Sequence, residues 1–226
     1  KKNPNPLVQT TDKNETILLN HFKIITIRES VQEYLVNRFN VKSEFMPHPF
    51  YSYELPKCKG LGYECVSISR IDFDKNTDII LKCNSLLKDP KKHIHLFGAE
   101  NRLYVHHKLG ELDFYNFWKG KFEKEYPLQY KGKDILKGTK FVVDMSTIKN
   151  DGGGSQYTFL EAIYQGCILI LHEDWIKQGS LFKDGVNCLS ASTPEKLAQI
   201  LNSQDEYQEI IKESQKLLNP HLQVEW

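Results

Sequence analysis

Residues 139–173 read TKFVVDMSTIKNDGGGSQYTFLEAIYQGCILILHE, and the order of segments within them decides the fold. TKFVVDMS is an apolar run of strand length, and GCILILHE is another. Between them a glycine cluster runs into an apolar segment that carries one acid, Glu161. Gly152, Gly153 and Gly154 followed by Ser155 offer flexible backbone, a helix N-cap and several unpaired N–H groups, which together suit a phosphate. Glu161 then falls about a turn and a half into the helix, on the face shared by residues three and four positions away. Ribose hydroxyls are natural partners for an acid placed there. The same residues also read as a solvated loop capping an ordinary helix, so the rest of the chain has to choose between the two.

Upstream, FKIITIR at 22–28 predicts a buried strand, Ser30 an N-cap, VQEYLVNRF a short amphipathic helix, and SEFMPHPF a strand ending in proline-stiffened chain. That makes one β-α-β unit ending near Tyr51. The stretch 52–62, SYELPKCKGLG, mixes Pro, Gly and Lys as a linker does. Beyond it come YECVSISRI (strand), a helix near Lys75 to Leu87, HIHLFG (strand), a long lysine-rich and aromatic segment, and then the opening stretch. A short helix around Trp175, the strand NCLSA and helices from Pro194 to Asn219 complete the chain. Strands alternating with helices imply an α/β fold, a parallel sheet covered by helices on both faces. The expected division is an incomplete N-terminal β-α-β lobe over 1–51, a linker over 52–62 and a ligand-binding domain with C-terminal helices over 63–226. In such sheets ligands bind beyond the carboxyl ends of the strands, where the glycine loop falls.

With 226 residues, 40% of them hydrophobic and 26% charged, and a formal charge of +1, the chain is an ordinary globular one. That balance suggests neither a nucleic-acid binder nor an acidic solvating tail. No apolar run reaches the length of a membrane span. The first residues hold neither a signal core nor an initiating Met, so a cytoplasmic location and an upstream truncation are the expectations. Cys58, Cys65, Cys83, Cys167 and Cys188 are odd in number and scattered, which predicts free thiols rather than disulfides or a zinc site.

Three further constellations fall at predicted strand ends. In Ser69-Arg70-Ile71-Asp72-Phe73-Asp74-Lys75, Arg70 and Lys75 suit a diphosphate, because Arg grips oxygens bidentately and Lys acts as a mobile point charge. The alternative is a surface ion-pair cluster with Asp72 and Asp74. Those two acids mimic an Asp-x-Asp metal motif, but no further ligand cluster supports a metal, and none is expected. FWKGKFEKEYPLQYKGKD at 117–134 interleaves aromatics with lysines. It reads either as a holder of a nucleotide base, with lysines favouring anions or an anionic membrane surface, or as a solvated excursion whose aromatics tuck into the core. His48, between Pro47 and Pro49, is either a ligand contact or a structural residue. His93, His95, His106 and His107 receive no functional assignment.

Taken jointly, these pieces resemble the GT-B glycosyltransferases, and most closely the retaining enzymes of glycosyltransferase family 4. VSISRIDFDKNTDIILKC is similar to that family's strand, Arg-x-Asp-x-x-Lys phosphate loop and helix. GTKFVVDMSTIKNDGGGSQYTFLEAIYQGCILIL resembles its strand, Ser-containing loop, acidic-glycine turn and Leu-Glu-Ala helix. LFKDGVNCLSASTPEKLAQIL resembles its Asp-Gly-x-Asn-Gly-Leu turn and closing helix, with Cys188 where the second Gly is usual. KIITIRESVQEYLVNRFNV with MPHPF is similar to the last unit of the N-terminal domain. The resemblance implies a Rossmann-like GT-B C-terminal domain in which Arg70 and Lys75 bind the donor diphosphate. It implies Glu161 on the ribose, and the amides of Gly154, Ser155, Gln156 and Tyr157 against the phosphates or the transferred sugar.

One position departs from the pattern. The family has a second Glu eight residues before the one in Leu-Glu-Ala, and here Gly153 stands there. The loop from Ser146 to Glu161 is about four residues longer than the family pattern, and that slack lets Asp151 be the candidate replacement carboxylate. The implied function is transfer of a hexosyl group from a nucleotide-diphosphate sugar, GDP-mannose or a UDP-sugar, to a glycan, lipid or protein acceptor, with retention and without a required cofactor. Because one β-α-β unit precedes the linker, the acceptor side is completed by a missing N-terminal domain, which is the expectation, or by a partner subunit, or else an unusually small N-terminal lobe suffices. Peripheral membrane contact through the lysines stays open. A noncatalytic nucleotide-sugar-binding subunit and a GT-B nucleotide-sugar 2-epimerase remain as alternatives.

Overall fold

The computed structural model describes residues 14–27, 29–55, 57, 59–120, 132–147, 156–177 and 181–223. They fall into two compact units, one drawn from Lys1–Phe50 and Pro220–Trp226, the other from Tyr51–Ile148 and Gln156–Asn219.

In the first unit, β1 (Ile25–Thr26) and β2 (Glu44–Phe45) pair in parallel, Ile25 opposite Glu44 and Thr26 opposite Phe45, with α1 (Glu29–Phe39) between them. The run FKIITIR was expected to be strand throughout, yet two residues pair. Its partner explains this: the Met46 amide donates to the Thr26 carbonyl at 2.8 Å, and the next residue, Pro47, has no N–H to extend the ladder. The helix takes in Ser30 instead of being capped by it. It ends where Asn40 adopts φ 53° and donates its amide to Val36 O at 3.0 Å, a left-handed stop that Asn tolerates.

The second unit holds a five-stranded parallel sheet of β3 (Cys65–Ile68), β4 (Ile94–Phe97), β5 (Phe141–Asp144), β6 (Ile168–His172) and β7 (Leu189–Ala191). Its order is β4-β3-β5-β6-β7. The expected α/β architecture is borne out, and the strands are almost continuously buried, as they must be when both faces are covered. Alternation sorts their side chains into two layers. Cys65, Ile94, Leu96, Phe141, Val143, Ile168, Ile170 and Ala191 join one core cluster with Ile80 and Leu81 of α2 (Thr77–Leu86) and Leu197, Ala198 and Leu201 of α5 (Pro194–Asn202). Val66, Val142, Leu169 and Leu171 are buried on the opposite face. On that side α3 (Tyr157–Tyr164) packs against β6 and buries Phe159, Leu160, Ala162 and Ile163. The short α4 (Glu173–Lys177) follows β6, and α6 (Gln208–Gln215) follows α5.

The part of the lysine-rich aromatic segment up to Phe117 forms regular turns that its composition does not suggest. Asn101 caps a short helix, Arg102–Tyr104, accepting from the Leu103 and Tyr104 amides at 3.0 and 3.3 Å; the chain continues as a π turn over Val105–Leu109 and a helical turn over Phe114–Phe117. Leu109 and Phe114 are buried in the core cluster. Charged residues between them hide this periodicity.

Among the described residues no helix is long and apolar enough to cross a membrane. Cys65, Cys83, Cys167 and Cys188 are buried free thiols, as expected, while Cys58 lies outside the described residues. Burial pushes the thiols of Cys83, Cys167 and Cys188 up to about 12.

Candidate functional site

The chain steps from β3 through α2 to β4 on one side, then returns to place β5 on the other side of β3. Successive connections therefore leave β3 and β5 in opposite directions. In open α/β sheets a ligand crevice opens at the carboxyl ends of such a pair. The residues delivered there are Ser69 to Lys75 after β3, and Met145 to Thr147 after β5.

The β3 loop is held from β4. Ser69 N donates to Phe97 O at 3.0 Å, Ile71 N to Ala99 O at 2.8 Å, and Asn101 N back to Ile71 O at 2.9 Å. Gly98 permits this approach, because a Cβ at that position would lie 1.8 Å from the Ser69 carbonyl oxygen. Asp72 organises the next turn, accepting from Phe73 N at 2.8 Å and from Asn101 Nδ2 at 3.0 Å.

The ion-pair alternative raised by the sequence is present in part. Arg70 Nη1 stands 3.7 Å from Asp72 Oδ2, and Lys75 Nζ 3.7 Å from Asp74 Oδ2. The two cations differ in setting: the Arg70 side chain is 69% exposed and that of Lys75 is 12% exposed. Arg70 is thus free to swing toward an incoming anion at little cost, whereas Lys75 is a fixed charge. The two acids of the Asp-x-Asp mimic are engaged by protein groups, and among the described residues no cluster of three His, Cys, Asp or Glu gathers as a metal site.

Two hydrogen bonds knit the β3 and β5 loops. Asn76, left-handed at φ 45°, donates its side-chain amide to Met145 O at 2.9 Å, and Thr147 N donates to Asp74 O at 3.1 Å. Behind them sits Asp144, 3% exposed at the end of β5. One carboxylate oxygen accepts from the amide (2.8 Å) and hydroxyl of Ser146, while Oδ2 is buried without a hydrogen-bond partner. Burial holds this carboxyl above the usual range, against the pull of the Ser146 hydrogen bonds and of Lys75. Trp175 Nε1 donates to Ser146 O at 3.0 Å and Gln156 Nε2 to Ser146 Oγ at 3.3 Å. Gln156 is thereby drawn to the β5 end.

Gln156 is also the N-cap of α3, with extended dihedrals of φ −76° and ψ 139°. The expectation that Ser155 caps this helix is corrected: the helix starts at Tyr157, so Gln156 takes the non-helical position that a cap requires. Tyr157, its first residue, is 41% exposed. Burial and the neighbouring Glu161 both raise its phenol pKa. Asp151, Gly153, Gly154 and Ser155 lie outside the described residues.

Glu161, one turn into α3, meets a residue that the sequence placed in a linker. The Tyr53 hydroxyl donates to Glu161 Oε2, and Gln165 Nε2 donates to the same hydroxyl at 3.3 Å. The Tyr164 hydroxyl donates to Tyr53 O at 2.7 Å and accepts from Tyr53 N at 3.2 Å, and the two rings lie 4.8 Å apart. Burial first, and then the hydrogen bond to Glu161, push the Tyr53 phenol well above its ordinary pKa. The sequence signal that would have found it, two aromatics in YSYEL, was masked by the Pro, Gly and Lys that follow them.

Two other candidates take structural roles. Phe117 is buried, and Trp118 donates Nε1 to Gly98 O at 2.9 Å while its main chain bridges to β4 at Leu96. These two aromatics therefore hold the sheet edge instead of standing ready for a base, and residues 121–131 lie outside the described set. The His48 carbonyl accepts from His221 Nδ1 at 2.6 Å, and Phe50 N donates to His221 O at 3.0 Å. In the KDGVNC turn, Asn187 is the organiser, accepting from Lys183 N at 2.7 Å and donating to Leu181 O at 3.0 Å.

No protein-family model and no curated protein matches this chain. Among solved structures it is similar to HepE from Anabaena in complex with UDP and glucose, with 16% identity and a TM-score of 0.67 over 95% of this chain and 63% of that one. TarM from S. aureus, as a mutant in complex with fondaparinux, alpha-GlcNAc-glycerol and UDP, gives 16% identity and a TM-score of 0.61 over 92% and 43%. The C-terminal domain of LpcC, a glycosyl transferase group 1 family protein from Francisella tularensis, gives 11% identity and a TM-score of 0.54 over 79% and 96%. The chain thus spans less than two thirds of HepE and of TarM. At these identities the likeness shows the fold: the Rossmann-like α/β sheet is that of GT-B glycosyltransferases.

Proposed function

We propose that this chain carries the donor-binding part of a glycosyltransferase of the GT-B class, acting on a nucleotide-diphosphate sugar. The observation that carries the reading is the placement, at the β3/β5 switch point, of a cationic loop bearing Arg70 and Lys75 beside the Gln156-capped start of α3. Arg70 and Lys75 take the diphosphate, and Glu161 the ribose hydroxyls. The solved structures favour uridine in the donor, since HepE and TarM are described with UDP, and UDP-glucose is preferred here to GDP-mannose.

In the transfer, the bond from the sugar's anomeric carbon to the diphosphate oxygen breaks and a bond to an acceptor hydroxyl forms. Negative charge grows on the departing diphosphate, and cations already in place stabilise it without reorganisation. Following the resemblance to family 4, the outcome is retention by a front-face route in which the leaving phosphate takes the acceptor proton, with Asp151 contacting the donor sugar. The acceptor side requires chain beyond the single β-α-β unit, from an N-terminal domain or a partner subunit.

Calorimetric titration with UDP, UDP-glucose and GDP-mannose tests this reading. UDP and UDP-glucose are expected to bind, and Arg70→Ala and Glu161→Ala each to weaken them. Absence of binding by all three ligands would overturn the donor-site reading. Binding without transfer to any acceptor by the longest natural chain would favour a noncatalytic subunit instead.

A further inference from the structure

We infer that Tyr53 is a positioning residue for the ribose-binding carboxylate, a role resting on the proposed assignment of Glu161 to the donor ribose. An isolated glutamate on a helix samples several rotamers, and a ligand hydroxyl must select one. Here the choice is made beforehand. Tyr53 donates its hydroxyl to Oε2 of Glu161, which consumes one carboxylate oxygen and leaves Oε1 to accept from a ligand.

Tyr53 is itself tightly held. Glu161, Tyr164 and Gln165 stand at spacings of three and four, on one face of α3 and its C-cap. Tyr164 grips the Tyr53 main chain through both the carbonyl (2.7 Å) and the amide (3.2 Å). Ring contact at 4.8 Å fixes the phenol plane, and Gln165 donates to the hydroxyl at 3.3 Å. That last bond fills the phenol's acceptor side and so directs its single proton to Glu161. A carboxylate prealigned by a side chain that is itself immobilised binds without a further ordering cost.

The test uses the full chain, with UDP and dideoxyuridine diphosphate, which lacks both ribose hydroxyls, as probes in calorimetry. Tyr53→Phe keeps the ring and removes the proton. If Tyr53 positions Glu161, Tyr53→Phe weakens UDP by about three- to tenfold, the scale of one hydrogen bond. It leaves the dideoxy analogue unchanged and adds no further loss in a Glu161→Gln background. An unchanged urea midpoint for Tyr53→Phe separates this from unfolding. Unchanged or tighter UDP binding by Tyr53→Phe, or equal weakening of both nucleotides, overturns the proposal. If discrimination between the nucleotides is lost in Glu161→Gln but kept in Tyr53→Phe, the positioning role falls and the ribose assignment stands. If the unmodified chain does not discriminate at all, the assignment of Glu161 falls and the positioning role falls with it.

Discussion

The side-chain amide of Asn76 donates to the main-chain carbonyl of Met145 at 2.9 Å, the side-chain member of the pair of hydrogen bonds that join the loops leaving the two strands that flank the switch point. Asn76 also occupies a left-handed backbone position at φ 45°. Asn is among the few residues other than glycine that take that conformation readily, while its side chain still reaches across. Asn76→Ala loses both advantages and is expected to destabilise by about 1–3 kcal/mol. Asn76→Gly relieves the backbone but not the lost tie, so it should recover part of the stability and none of the UDP affinity. Urea unfolding alongside calorimetry separates the two effects.

Gly98 makes a sharper prediction. A Cβ there would sit 1.8 Å from the Ser69 carbonyl and 2.7 Å from its carbon, both main-chain atoms that cannot rotate away. The Arg70 loop would have to move. Gly98→Ala is expected to cost about 2–4 kcal/mol and to weaken diphosphate binding through displacement of Arg70. A thermal midpoint within a degree of the parent would refute the close approach.

Arg70 and Lys75 should separate when mutated singly. Arg70 is largely exposed and its pairing with Asp72 is long, so Arg70→Ala should change stability by less than about 0.5 kcal/mol while weakening UDP. Lys75 is the more enclosed charge, beside Asp74 and within reach of Asp144. Removing it leaves two carboxylates without their nearest cation, so Lys75→Ala should lose stability as well as affinity. Equal loss of stability in both variants would contradict this division.

The parallel sheet, its flanking helices and the loop carrying Arg70 and Lys75 were legible because buried strands write themselves as apolar runs and the spacing of glycines and acids marks the loops between. What stayed hidden depended on contacts distant in sequence. Nothing local reveals that Tyr53 docks on Glu161, more than a hundred residues away, or that Asn101 buttresses Asp72. The lysines around Trp118 leave it open between a base holder and a core aromatic, and the bond to Gly98 O that decides between them is invisible in composition. Gln156 instead of Ser155 stands at the cap of α3, its side chain donating to Ser146 and making no capping bond to the helix. Propensity alone favours serine.

His95, on β4, packs against Tyr63 with ring centroids 4.0 Å apart and planes tilted by 37°, and its Nδ1 is buried without a hydrogen-bond partner. Burial, with Lys119 and His93 adding repulsion, lowers its pKa to about 4. Because the folded value lies below the unfolded one, the unfolded chain takes up the proton first. Stability should therefore fall as pH drops from about 6.5 to 4, by roughly 1–2 kcal/mol once partial solvation is allowed for. In His95→Phe that part of the decline should disappear, which urea midpoints at pH 7 and pH 4.5 will show.

Asp144 titrates in the opposite sense. Burial raises its folded pKa, so the folded chain holds the proton more tightly than the unfolded chain does. Its contribution to stability is greatest below the unfolded value of about 4 and declines as pH climbs through the folded one. Asp144→Asn has nearly the same shape, its carbonyl can still accept from Ser146, and it cannot ionise. The variant should match the parent in acid and gain on it as pH rises toward neutrality. At pH 7 an ionised Asp144 would still be drawn to Lys75, so the gain should be larger in a Lys75→Met background, where that attraction is absent. Urea midpoints for the four combinations across pH 4 to 7 decide the matter, and a parent that outperforms Asp144→Asn increasingly with pH would show that Asp144 is stabilised as a carboxylate and would reverse the assignment.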